Sequence, residues 1–327
     1  MRARLAVVTA AVLLIGSAAG ATADDGGWGY LMDKLVADGV KRERVIAVFR
    51  DPRVPEFDGL EFSLYARETG QQYRAFRKAQ SVAAARRCRA EYDQELRAAE
   101  DRFDVPASVV AALIHVETHC GRNTGSNIVL PRLARLAMAN APANLNDNIQ
   151  RHSNGVPLSA LPSVEQRVRQ RARELEGVFY PEVMAMFSLS DQTGIDPLDI
   201  RGSGSGAFGM PQFLPSSYLR FAVDGNRDGR ISLYDPPDAT ASAANYLARH
   251  GWRPGLSYAQ QRQVIWTYNH SDPYIDTVLY LAARIEETNP SRLTVASDGP
   301  RRSPPRMKRP PPKVRPAQPK HGIKRRP

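Results

Sequence analysis

The sequence predicts a mainly α-helical protein. Three observations carry that expectation: apolar residues recur at three- and four-residue intervals along most of the chain, sustained period-two alternation is scarce, and no internal repeat is found. The composition, 42% hydrophobic and 24% charged, is that of an ordinary globular protein. The roughly 270 residues between leader and tail suffice to bury one large core or two.

The first 23 residues read as a signal peptide. Arg2 and Arg4 precede an apolar stretch over 5–15, and Ala21, Thr22 and Ala23 form an A-x-A cleavage pattern before Asp24. The stretch is too short for a permanent membrane helix, and no cysteine stands at the cleavage site to carry a lipid. A soluble, exported protein of the periplasm is expected.

A helical region over 24–100 is expected to pack on a main domain over 101–290. Within the first, 30–37 and 43–49 carry short helical patterns, the turns of DPRVPEFDG follow, and 75–102 reads as one long charged helix. Pro106 suits the first turn of the next helix, where its missing N–H is harmless. Residues 123–164 are long and polar, and 161–188 are helical by pattern. Beyond them come a glycine-rich segment and two more helices, reaching about residue 287.

Eleven of the 45 Lys and Arg residues follow Gly299, where no acid occurs, and the remaining 34 balance the 34 Asp and Glu. The formal charge of +11 therefore belongs to the tail. Rich in proline and nearly free of large apolar side chains, residues 291–327 cannot offset the cost of ordering their backbone and should be disordered or extended. Nucleic acid is not an expected partner, because an exported chain rarely meets it and the run lacks interleaved aromatics. An anionic envelope polymer or a membrane surface fits the charge. A monomer is expected.

The stretch AALIHVETHCG, residues 111–121, places a carboxylate, Glu117, inside an apolar run. On helical spacing its face also holds Val110, Leu113 and Ile114, so the acid points at a core or a cleft. A buried ion pair is one reading of such a residue. Zinc between His115 and His119 is a second, but a metalloprotease helix has its Glu directly after the first His, whereas Glu117 lies about 200° round the helix from His115. Catalysis is the third. Apolar neighbours disfavour a charged carboxyl group, which then keeps a proton to hand to a leaving oxygen; glycoside cleavage most often uses such a group.

RGSGSGAFGMPQFLPSSY, residues 201–218, has glycines that let the backbone approach another surface closely. Its Gln212 can donate to and accept from a sugar hydroxyl or amide, Pro215 opens a helix, and it lacks the lysine of a phosphate loop. DGNRDGRISLYD, residues 224–235, reads as an EF-hand-like calcium loop. Asp224, Asn226 and Asp228 supply oxygens at positions one, three and five, Gly229 makes the turn, Arg230 offers a backbone carbonyl at seven, and Asp235 stands at twelve. The same residues could make a plain Asn/Asp/Gly turn. A bound Ca2+ would be structural, since nothing links the loop in sequence to Glu117.

These segments resemble the lytic murein transglycosylases of the B type, whose catalytic domain is lysozyme-like. The matching pieces stand in the family's order over most of 24–287: DPRV; FDVPASVVAALIHVETHCGRNTG; DPLDIRGSGSGAFGMPQFLPSSYLRFAVDGNRDGRISLYDPPDATASAANYLARHGW; and WTYNHSDPY. The resemblance implies that Glu117 protonates the glycosidic oxygen between N-acetylmuramic acid and N-acetylglucosamine in peptidoglycan. As carboxylate it would then take the proton of the muramic acid 6-hydroxyl, which closes onto the anomeric carbon and leaves a 1,6-anhydro end. Carried over by position, Ser203, Gln212, Tyr246, Tyr268 and Asn269 would line the cleft for the glycan strand. The resemblance also implies a metal loop closed by Asp238. A lysozyme-type hydrolase on the same fold, or a non-catalytic calcium-stabilised wall-binding protein, are the alternatives.

The chain has two cysteines, Cys88 and Cys120, the second where the family usually carries an aromatic or other bulky residue. Each lies sixteen residues from Asp104, between two expected helices. Folded back as a hairpin, with about 1.5 Å of rise per residue, the two would stand at one height, and an oxidising compartment allows them to pair. The other reading is two unpaired thiols, with Cys120 packed as a small apolar residue.

Overall fold

The computed structural model describes residues 25–65 and 70–287, and both the expected leader and the basic tail lie outside them. Helices α1 (Gly29–Ala37) and α2 (Arg42–Phe49) bury Leu31, Leu35, Val45 and Phe49 around Trp28. The Trp28 ring packs 5.5 Å from Phe49 and 5.3 Å from Phe57, and its indole N–H donates to the Pro55 carbonyl at 3.0 Å. These residues belong to the same core cluster as the helices of the main domain, so the two expected regions share one interior.

The single long helix expected over 75–102 is instead three pieces. After the short α3 (Gly70–Tyr73) and a 3-10 turn (Arg74–Arg77), Lys78 is extended, α4 runs Ala79–Glu91, and Tyr92 (φ −110°, ψ 36°) breaks it from α5 (Asp93–Phe103). The break lets α4 pack on α6 (Ala107–Thr118) and α13 (Asp272–Glu286) while α5 packs on α11 (Pro236–Arg249) and α6. One straight rod could not follow both surfaces. Tyr92 also donates its hydroxyl to the Cys120 carbonyl at 3.3 Å, so its bend is tied to the loop after the central helix.

That central helix, α6 (Ala107–Thr118), is buried on nearly every side, as its apolar sequence requires. Pro106 stands at its N-cap, one residue before the expected position. The long polar segment after it holds a two-residue strand β1 (Asn127–Ile128), then α7 (Val129–Ala137) and α8 (Pro142–Ser153). Its buried Asn144 and Asn148 explain the polarity, because their side chains bond the backbone of Leu60 and Phe62 and hold the N-terminal segment down.

Helix α9 runs Leu161–Thr193, past the expected end, until Gly194 adopts φ 73°. The strand β2 (Arg201–Gly202) pairs antiparallel with β1, Asn127 opposite Gly202. Four helices follow rather than two: α10 (Pro215–Phe221), α11 (Pro236–Arg249), α12 (Tyr258–Tyr268) and α13 (Asp272–Glu286). Prolines open α10, α11 and α13; Ser257 with Gln260 forms a capping box on α12, and Ser271 caps α13. No described helix is long and apolar enough to cross a membrane.

Candidate active site

Glu117 is the penultimate residue of α6 and is half-buried, facing α13, the helix that packs along it. Its Oε1 accepts a hydrogen bond from the Tyr274 hydroxyl at 2.5 Å, and Tyr274 is itself buried in the first turn of α13. Burial, followed by the negative charge of Glu117, holds the phenols of both Tyr268 and Tyr274 well above their ordinary range. Both therefore stay protonated donors at any working pH. Neither serves as a base.

The turn after Glu117 fixes its direction. His119, Cys120 and Gly121 are successively left-handed (φ 51°, 65° and 77°), and the Cys120 N–H reaches back to the Ile114 carbonyl at 3.3 Å, closing the helix in the Schellman manner. Thr118 Oγ1 donates to the Met210 carbonyl at 2.9 Å and accepts from the Gly121 N–H at 3.0 Å, which stitches the helix end to the glycine-rich segment. Cys88 and Cys120 are joined in a disulfide with Cα atoms 5.8 Å apart, anchoring the same turn to α4.

The sequence-predicted cleft residues fall at different depths. Tyr268 donates to the Pro211 carbonyl and so holds the backbone next to Gln212. Gln212, at φ 51°, donates to the carbonyls of Thr124 (3.1 Å) and Gly209 (2.9 Å). Ser203 closes a tight turn, its Oγ accepting from the Ala207 N–H at 3.1 Å. Opposite it, Gly125 (φ 88°) has no room for a side chain, since a Cβ there would lie 2.1 Å from the Gly202 carbonyl oxygen. Asn269 ends α12 in an extended conformation. Tyr246 stands behind this layer: its ring lies 4.8 Å from Tyr268 and its hydroxyl donates to the Thr267 carbonyl at 2.6 Å. Tyr274, which donates to Glu117, was not among the predicted ones.

The two histidines of the pair have different surroundings. His115 is buried, with Nε2 2.9 Å from Ser81 Oγ and Nδ1 3.6 Å from Cys120 Sγ, while His119 is exposed. Burial, and then the charge of His119, pushes the His115 imidazole down from 6.5 to about 4. Between those values the unfolded chain accepts a proton that the folded chain refuses. Its contribution to stability is therefore complete above pH 6.5 and is lost as the pH falls toward 4. Urea midpoints measured across that interval should fall with pH, and His115→Gln should flatten the dependence; parallel curves for the two proteins would assign it to other groups.

The calcium-loop residues connect α10 to α11. Asp224 accepts from the N–H groups of Arg227, Asp228 and Gly229, and Gly229 makes the turn at φ 85°. Asp228 accepts from the Arg230 N–H and from Asn226, in that order the causes that hold its carboxyl below the usual range. Asp238 is buried and bonds both ends of the loop, through Gly225 N–H at 2.8 Å and Ser232 N–H at 2.7 Å, whereas Asp235 is exposed. Among the described residues no cluster of three or more His, Cys, Asp and Glu gathers as a metal cage. The loop's donors are nonetheless all oxygens, the type a hard cation takes.

The model of the transglycosylase SLT domain family matches residues 27–264, which include the acid, its left-handed turn, the glycine-rich segment and most of α12. The chain belongs to that family. Membrane-bound lytic murein transglycosylase B of Escherichia coli is 34% identical over 165 residues, a match covering 50% of this chain and 37% of that protein. The soluble lytic transglycosylase SltB1 of Pseudomonas aeruginosa superposes with a TM-score of 0.59 at 22% identity, covering 80% of this chain and 98% of the other. The E. coli lytic transglycosylase Slt35, in complex with calcium, gives 0.56 at 24% identity, covering 81% and 94%. The fold is therefore the lysozyme-like one of this family, built mainly of helices.

Proposed function

We propose that the protein is a peptidoglycan lytic transglycosylase with Glu117 as acid and then base. The observation that carries the reading is the half-buried carboxylate held by Tyr274 at the end of a buried helix, against a glycine-rich backbone. Protonated, Glu117 gives its proton to the bridging oxygen as the bond from the muramic acid anomeric carbon breaks. Ionised, it takes the proton of the 6-hydroxyl as that oxygen bonds the same carbon. The proton count closes and no water is consumed, so one carboxyl group suffices. Tyr274 donates to the carboxylate in its ionised phase, and Tyr268, Gln212 and Ser203 hold the wall along which a strand would lie. Family membership and the name of the E. coli relative support murein as substrate. Purified sacculi incubated with the protein should release soluble muropeptides; sacculi left intact would refute the reading.

Ca2+ is proposed as a structural ion. Asp224, Asn226 and Asp228 would supply side-chain oxygens, Arg230 its carbonyl, and Asp238 the closing carboxylate; the calcium complex of Slt35 supports the assignment. An ion bound by the folded state alone raises the unfolding temperature by mass action. Calcium should raise the melting midpoint and Asp228→Ala should remove that rise, whereas equal melting curves in calcium and chelator would leave the loop a turn. A periplasmic location, and binding of the basic tail to anionic envelope polymers or membrane, are proposals that rest on residues outside those described.

A further inference from the structure

We infer that a cavity beside the acid is a carboxylate subsite for the peptide stem of the substrate, with Arg74 and Arg77 as its cations; the inference rests on the murein reading above. The cavity, about 440 Å³, lies between the Gly70–Arg77 segment and the first turns of α13, lined by Tyr73, Arg74, Arg77, Pro273, Asp276 and Thr277 among others. The Tyr73 ring stands edge-on to Tyr274 at 6.1 Å, and Tyr274 donates to Glu117. The cavity thus begins one aromatic ring from the acid.

Its charge is unusual for this chain. Residues 70–90 carry Arg74, Arg77, Lys78, Arg86, Arg87 and Arg89 and no acid, although the body as a whole is balanced. Among the described residues Arg74 makes no ion pair. Arg77 lies over the Tyr280 ring at 5.7 Å, a stacking that leaves the N–H edge of a guanidinium available for a carboxylate. Asp276, the acid of the lining, is taken by Arg262, which also holds Asp272 at 2.5 Å. Among the described residues, Arg74 and Arg77 are thus in no ion pair.

The glycan supplies no anion to meet them, because the muramic acid carboxyl is consumed in its amide to the stem peptide. The free carboxylates of murein are on that stem. An extended peptide gains up to about 3.5 Å per residue, so a stem of several residues has the length to pass from a sugar at the acid beyond Tyr73.

The test uses the full chain and two substrates: murein strands carrying their peptides, and the same strands with the stem carboxylates converted to neutral amides. Arg74→Ala with Arg77→Ala should lower the ratio of kcat/KM for carboxylate-bearing over amidated strands by about tenfold, chiefly through KM, as expected when a charged hydrogen-bond pair is lost. Lysine at both positions should restore most of the ratio, and added salt should erode it. An unchanged ratio, or equal loss on both substrates, would overturn the subsite. Failure of the unmutated protein to cleave either substrate would instead remove the murein reading, and the subsite with it.

Discussion

Glu117→Gln is expected to abolish cleavage, with a loss of about a thousandfold or more, because the amide has no proton to give and cannot take one back. The substitution keeps the shape of the side chain and an oxygen that can accept from Tyr274, so the packing of α13 on α6 should survive. Three measurements separate chemistry from folding: release of soluble fragments from murein, the thermal midpoint, and retention of the protein on insoluble sacculi. The first should vanish while the other two hold. Activity beyond roughly a thousandth of the parent would dismiss Glu117 as the acid, and loss of all three would show that the residue is needed to fold.

Removal of the Cys88–Cys120 bridge should have the largest effect on stability. It closes a loop with a sequence separation of 32, which in the chain-entropy model is worth about 3 to 4 kcal/mol by restricting the unfolded chain. Both cysteines are buried, and Cys120 belongs to the left-handed turn that follows Glu117, so the bridge also fastens α4 to the end of α6. Urea denaturation of the oxidised protein against the Cys88→Ser, Cys120→Ser variant should show that difference, and assay below the midpoint should show slower cleavage. Equal midpoints, or two free thiols per chain in the denatured, unreduced protein, would remove the bridge from the account.

That Glu117 points at a core or a cleft rather than lying on a wet face was legible from spacing alone, since its neighbours one turn away are apolar, and it is half-buried. Tyr274 was not, although it lies in a segment that carries the family resemblance. It is separated from Tyr268 by a break between α12 and α13, so no helical register relates it to the acid; only the packing of α13 on α6 brings them together. The bend at Tyr92 was invisible for a similar reason. Its flanking residues are good helix formers, and the bend is imposed from outside by two surfaces that α4 and α5 must follow. In the 123–164 segment polarity does not mark a surface throughout, since Asn144 and Asn148 are buried and bond a neighbouring backbone. Among the predicted cleft residues, Tyr246 is a packing residue with a satisfied hydroxyl, a role that sequence cannot distinguish from one at the surface of the cleft.

The account turns on Glu117 regaining its proton from the muramic acid's own 6-hydroxyl as the ring closes rather than from a water, and the mass of the product reports this directly. Mass spectrometry of fragments released from purified murein should find muramic acid ends one water lighter than hydrolysed reducing ends, as a 1,6-anhydro ring requires. Ends carrying the full water, with or without oxygen-18 from labelled solvent, would contradict it and make the protein a hydrolase on the same fold.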